Sequence, residues 1–180
     1  VSAAAVILPK IDLVRYGLND SKKMSEKKRY ELFDIIKECA IDYGVALVDP
    51  KTIDEINILQ ATQLAFLQAI QSMKQAPDYL LVDGNIYRNK GIDFQCLVKG
   101  DSKSASIAAA SVLAKVSRDE YMINEAAKSY PEYEFESHKG YATKRHFELI
   151  KKFGISPIHR KSFLIKFVER ENSLFDNMML

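Results

Sequence analysis

Apolar and polar positions along the chain follow two different periods. Residues 79–83 (YLLVD) and 94–99 (FQCLVK) are short runs rich in Leu, Val and aromatics. Runs of this length, bounded by Pro77, Gly84 and Gly100, predict buried strands. Residues 43–48 predict another, and residues 1–8 (VSAAAVIL) are apolar from the first position. Elsewhere the period is helical. Tyr30, Phe33, Ile36 and Ala40 recur at three- and four-residue steps behind Ser25, a good N-cap type. Asp49-Pro50 carries the N-cap and N1 signature of a second helix reaching about residue 73. Its expected buried stripe is Ile56, Leu59, Leu64, Leu67, Ile70 and Met73, with a break near Asn57 and Pro77 as its stop. A long helix from about 102 to 128 opens on small residues, and a short one over 143–153 closes on Gly154. The tail, 164–180, reads as helical near 165–170. Strands alternate with helices, so the class is α/β with a mixed sheet flanked by helices.

Composition adds limits. With 180 residues, 47% hydrophobic and 28% charged, the chain can bury a real core. Net charge is only +2, so positive charge is local: Lys22 to Arg29, then Lys139 to Arg145, then Lys151 to Lys161. Each cluster is either a solvated helix face or part of an anion track, depending on which side of the fold it occupies. Cys39 and Cys96 stand in apolar contexts, which predicts thiols in a reducing compartment. No apolar run is long enough to span a bilayer, and the start lacks a signal-peptide pattern, so the expectation is cytoplasmic.

The candidate chemistry lies between residues 79 and 141. Asp83 and Asp101 end two consecutive apolar runs, where α/β sheets place their ligands. Taken alone, Asp83 is also an Asp-Gly turn residue and Asp101 also a helix N-cap. As a pair they suit a hard divalent cation, which takes carboxylate oxygens together with substrate phosphate. Asp119, beside Arg118, reads as an exposed or helix-pairing charge. Asn19, Ser21 and Lys22 offer an amide, a hydroxyl and a cation ahead of a helix, suited to a phosphate or to an elaborate cap. Lys139 and Tyr141 set an aromatic in a basic, glycine-containing loop, either a stacking platform for nucleic acid or a core tyrosine. His138, His146 and His159 have no metal-ligand spacing with the cysteines or one another. Walker, GxSxG and GxGxxG motifs are absent from the sequence.

Eight blocks in order resemble the type 2 ribonuclease H family, bacterial ribonuclease HII. They are 3–8 (AAAVIL), 17–23 (GLNDSKK), 57–62 (NILQAT), 81–84 (LVDG), 97–101 (LVKGD), 106–119 (SIAAASVLAKVSRD), 138–143 (HKGYAT) and 157–163 (PIHRKSF). Each is weak alone; the ordered set is specific. The resemblance implies a ribonuclease H-like domain over 1–163 and a C-terminal tail over 164–180. It implies Mg2+- or Mn2+-dependent cleavage of RNA in RNA/DNA hybrids and at single ribonucleotides in DNA, leaving 5′-phosphate and 3′-hydroxyl ends. The third and fourth of the family's four metal-binding carboxylates match Asp83 and Asp101. The tyrosine that stacks near the ribonucleotide junction matches Tyr141, and the backbone-contacting loop matches Asn19, Ser21 and Lys22.

The family's first two carboxylates belong to an Asp-Glu-Ala-Gly-Arg-Gly motif on its first strand. That motif is absent from this sequence, and residues 1–8 match the segment shortly after it. The expectation is a family member without its first strand, monomeric when complete. Two other readings stay open: a module that binds hybrid duplexes without cleaving them, and an unrelated nucleotide-binding α/β domain. The lack of a glycine-rich phosphate loop speaks against the last.

Overall fold

The structure, a computed structural model, describes residues 1–11, 13–88 and 91–165. Strand β1 (Ser2–Ile7) pairs antiparallel with β2 (Asp42–Leu47), Ala3 opposite Ala46. Alternation along β1 sends successive side chains to opposite faces. Ala4 and Val6 meet helices α1 (Glu26–Cys39) and α3 (Ala105–Tyr121), around Leu32, Phe33, Ile36, Val112 and Leu113. Ala3 and Ala5 meet helix α2 (Pro50–Gln71) on the other face. The β1–β2 ladder is therefore the middle of three layers.

Small residues set how close these layers come. Ala108 and Ala109 are buried, and α3 approaches β1 so nearly that the Ser2 hydroxyl donates to the Ala114 carbonyl at 2.8 Å. On the other face, a Cβ at Gly44 would collide with the Ala69 carbonyl oxygen and the Ser72 hydroxyl. The buried line of α2 is accordingly Ile53, Ala61, Ala65 and Ala69. The expected stripe is met in part: Ile56, Leu64 and Ile70 pack against core clusters, whereas Leu59 and Leu67 are 39% and 38% exposed. Where a helix lies close on a sheet, alanines fit beneath it and leucines are displaced to its flanks.

Local signals behave as expected at most helix ends. Ser25, Asp49 and Thr143 cap α1, α2 and α6 (Lys144–Phe153), each accepting an amide three residues on. Asn57 breaks α2 with φ 66°, and its side-chain oxygen recaps the second half by accepting from Leu59 and Gln60. Helix α2 stops at Gln71, well before Pro77. Helix α3 starts at Ala105, with Ser104 as N-cap, and continues through a π-helical turn, Met122–Ala126, into α4 (Ala127–Ser129). After α5 (Phe135–His138) and α6, residues 161–165 are helical. Leu164 packs on the cluster of Tyr133, Phe135, Leu149 and Ile150. The expected helix over 165–170 falls mostly beyond the described residues.

The sheet differs from a single mixed one. Strand β3 (Tyr79–Asp83) pairs parallel with β4 (Asp93–Leu97) as a second ladder, packed on α2 through Leu80, Val82, Phe66 and Ile70. Antiparallel and parallel pairings are both present, but among the described residues no ladder joins β1 to β3. A cleft of about 750 Å³ separates them, walled by residues of β1, β3, α2 and α3.

Candidate active site

Strand β3 ends on Asp83, and the Gly84 amide extends its ladder to the Leu97 carbonyl of β4 at 3.0 Å. After β4 the chain reverses through Lys99, at φ 56°, into a 3-10 turn, Gly100–Ser102. The Gly100 amide donates to Oδ1 of Asp83 at 2.8 Å. The approach is close: a Cβ at Gly100 would stand 2.6 Å from Cδ1 of Ile107, which would have to move, and 3.3 Å from that same carboxylate oxygen. The two sequence-predicted aspartates thus meet across one turn. Asp101 lies within the turn and is not the α3 cap.

A third carboxylate joins them. Burial pushes the Asp101 carboxyl above its ordinary range, and the charges of Asp20 and Asp83 add to the shift; Lys22 opposes it. Asp20 is held low mainly by the Lys22 amide, which donates to its Oδ1 at 2.9 Å, and it also hydrogen-bonds Asp101. Asp20 stands inside the 17–23 block, yet sequence pattern alone does not single it out. Asp101 thus feels negative charge from both neighbours, the kind of repulsion that a hard cation relieves. Among the described residues, however, no group of three or more His, Cys, Asp or Glu side chains converges to hold a metal. Asp83 and Asp101 are two oxygen donors on one turn, the ligand type that a hard cation takes.

The 17–25 loop runs from this cluster to the start of α1. Arg29 holds it by donating to the Ser21 and Met24 carbonyls at 3.1 and 2.6 Å. Ser21 is 7% exposed, whereas Asn19 and Lys22 face solvent. Glu26, at the start of α1, accepts from the Lys139 ammonium at 2.7 Å, which ties the 139–141 loop to the same side.

Tyr141 is 42% exposed and is not a core residue. The Arg118 guanidinium lies over its ring, 4.6 Å from the centroid, and the Lys115 ammonium contacts its hydroxyl. Both cations also bind Asp119, at 3.1 and 2.8 Å. Asp119 is 3% exposed, so the expected exposed charge is instead a buried helix-pairing one. Ten to thirteen residues of α3 separate its start, beside the acidic cluster, from Lys115 and Arg118. At 1.5 Å per residue that is roughly 15–20 Å. One strand of a duplex covers that span with about five phosphates. The acidic residues lie near the start of α3, and Tyr141 lies against its later turns with Lys115 and Arg118.

Comparison with known proteins gives a consistent picture. A family model described as Ribonuclease HII matches residues 1–166. The ribonuclease HII of Clostridioides difficile (strain 630) is 57% identical over 161 residues, 89% of this chain and 63% of that protein. The ribonuclease HII of Endomicrobium trichonymphae is 59% identical over 165 residues, 91% of this chain and 77% of that protein. The chain thus spans less than two thirds of the first relative's length. Among solved structures, ribonuclease H2 from Pyrococcus horikoshii OT3 superposes with a TM-score of 0.67 at 25% identity, covering 90% of this chain and 93% of that one. Bst-RNase HIII in complex with Mn2+ gives 0.57 at 17% identity, over 79% and 53%, a likeness of fold.

Proposed function

The chain belongs to the ribonuclease HII family, and from that premise we propose that it acts in metal-dependent endonucleolytic hydrolysis of RNA. The substrates are the RNA strand of RNA/DNA hybrids and DNA duplexes with embedded ribonucleotides, and the products carry 5′-phosphate and 3′-hydroxyl ends. The observation that carries this reading is the acidic turn. Asp83 and Asp101 stand on one turn after two paired strands, with Asp20 beside Asp101 in the 17–25 loop, which leads to α1 and, through Glu26 and Lys139, to the loop of Tyr141.

Asp83 and Asp101 would hold Mg2+ or Mn2+. When bound, such a cation supplies charge neutralisation and an activated water for phosphodiester hydrolysis. The Gly100 amide fixes the Asp83 carboxylate in place. Asn19 and Lys22 meet the backbone beside the scissile bond, with Ser21 shaping the loop behind them. Lys139 holds the distal loop to α1, and Tyr141 presents its ring to a sugar or base. The setting is cytoplasmic, in keeping with free Cys39 and Cys96. No described helix is long and apolar enough to cross a membrane.

A second reading, duplex binding without cleavage, has one observation in its favour: the described residues bring no third ligand to metal-binding distance of the pair. Nicking of a labelled duplex with one ribonucleotide, with and without Mg2+ or Mn2+, separates the two. Metal-dependent products ending in 5′-phosphate support the enzyme. Salt-sensitive binding with no product supports the binding module. Equal affinity for all-DNA and ribonucleotide-containing duplexes, with no product, removes both.

A further inference from the structure

Three histidines that the proposed chemistry leaves unused lie behind Tyr141. His138, His146 and His159 are all buried, and their rings are stacked in sequence, His138 to His146 at 4.2 Å and His146 to His159 at 5.1 Å between centroids. The Phe135 ring touches all three.

Their partners fix every ring proton. The Gly140 amide can only donate, and it points at Nδ1 of His138 from 3.1 Å, so the His138 proton is on Nε2, facing the Tyr133 carbonyl at 2.7 Å. The Tyr141 carbonyl can only accept, and Nδ1 of His146 stands 3.0 Å from it, so that nitrogen carries the proton. The Ser156 amide donates to Nδ1 of His159 at 3.0 Å, which leaves the His159 proton on Nε2. Nε2 of His159 then donates to the bare Nε2 of His146 at 2.9 Å. One set of tautomers satisfies all six nitrogens, and it is the neutral set. An added proton on His138 would face the Gly140 amide, and one on His146 the Nε2 proton of His159; on His159 it would face the Ser156 amide, with the Ser156 hydroxyl 2.7 Å from the same nitrogen. Burial agrees: it holds His159 down to about 4, with His146's charge adding to it, and lowers His146 as well.

Two of these contacts, with the Tyr141 amide's bond to the His138 carbonyl at 2.9 Å, grip the chain on both sides of Tyr141. The charged groups nearby are Glu134, paired with Arg145 and facing His138 and Lys152, and Arg118, which reaches toward Gly140. Lys139, paired with Glu26, and Arg160 adjoin His138 and His159 in the chain, and Tyr133 spends its hydroxyl on the Gly154 carbonyl.

We propose that His138, His146 and His159 are positioning residues: a neutral histidine chain of fixed tautomers that sets the 138–143 turn, holds Tyr141 in place for nucleic acid, and releases it on protonation. The proposal rests on reading Tyr141 as a substrate contact.

The test has one arm that does not depend on that reading. Imidazole nitrogen NMR of the 180-residue chain at neutral pH should show protons on Nε2 of His138, Nδ1 of His146 and Nε2 of His159. A charged ring or another tautomer there overturns the inference, even should every variant fail to fold. In His146→Phe, which keeps an aromatic ring but removes both hydrogen bonds, amide exchange at Gly140 and Tyr141 should quicken. Unchanged exchange overturns it. The other arm measures binding of a duplex with one ribonucleotide. His146→Phe should weaken it roughly tenfold, the scale of one lost stacking contact. Adding Tyr141→Ala to His146→Phe should cost nothing further, because both act through one ring. His146→Asn, which restores a donor to the Tyr141 carbonyl, should recover most of the loss. Fully additive losses overturn the positioning role. If Tyr141→Ala alone leaves binding unchanged while the tautomers and exchange behave as stated, the reading of Tyr141 fails and the histidine chain stands as the turn's support.

Discussion

The Gly100 amide donates to Oδ1 of Asp83 at 2.8 Å, so the turn that presents Asp101 is built on the other carboxylate of the pair. The two aspartates are coupled mechanically as well as by charge. Asp83→Asn keeps an oxygen for the buried amide and should leave stability within about 0.5 kcal/mol. Asp83→Ala strands that amide and should cost about 1–3 kcal/mol in urea unfolding. Both should lose Mn2+ binding, read by paramagnetic relaxation of water. Equal stability of the two variants would show that the bond does not support the turn.

Tyr141 should contribute through its ring. Tyr141→Ala should weaken binding to a duplex containing one ribonucleotide by about 1–3 kcal/mol. Tyr141→Phe keeps the face under Arg118 and loses only the hydroxyl contacts with Lys115 and Asp119, so its loss should be the smaller. Fluorescence anisotropy at a fixed salt concentration measures both. A larger loss in Phe than in Ala would assign the effect to the hydroxyl.

Stability should fall in mild acid. The folded His159 value is about 4, below the ordinary 6.5, so the folded chain binds fewer protons than the unfolded one between those values. Stability is therefore complete above about pH 6.5 and declines as pH falls toward 4, by about 3 kcal/mol in total from this group. His159→Gln, which keeps a donor toward His146, should flatten the dependence. Urea midpoints at pH 7 and pH 5 give the comparison, and a parallel pH response in the variant would place the titration elsewhere.

The 180-residue chain purified alone should nick poorly or not at all. It carries two of the four carboxylates that the family likeness implies, and two such ligands leave a cation mostly hydrated. Its basic loop should still bind duplexes, with affinity falling as salt rises. The check is nicking in Mg2+ or Mn2+ by this chain beside one with an Asp-Glu-Ala-Gly-Arg-Gly strand joined ahead of Val1. Comparable rates would mean that the present carboxylates suffice.

Much of the fold was legible in local signals. Ser25, Asp49-Pro50, Thr143 and Gly154 mark helix ends by their own chemistry, and Asn57 marks a break because its side chain can cap the next helical turn. The small residues at 105–111 with which the helix opens are the ones that let α3 lie close on β1. The face of α2 was only partly legible: Ile56, Leu64 and Ile70 pack inward as their period predicts, but the fully buried line is Ala61, Ala65 and Ala69, which hydrophobic period does not pick out. Asp119 and Asp20 escaped for another reason. The i,i+4 spacing from Lys115 carries the pairing of Asp119, but its burial against Tyr141, 22 residues away, and the contact of Asp20 with Asp101, 81 residues away, follow from no spacing rule. The division of the sheet into two ladders is a tertiary fact of the same kind.

That division gives the cleft a thermodynamic meaning. With no ladder hydrogen bond crossing it among the described residues, β3–β4 can open as a unit of its own, while β1–β2 stays clamped between α2 and the α1–α3 layer. Asp83 ends β3, Asp101 stands in the turn that joins β4 to α3, and Asp20 belongs to the loop that leads into α1. Any cation that draws all three together is a clasp between halves. It would raise the free energy of that local opening in proportion to its own binding, so occupancy of the acidic cluster and slow amide exchange in β3 and β4 become one measurement seen from two sides.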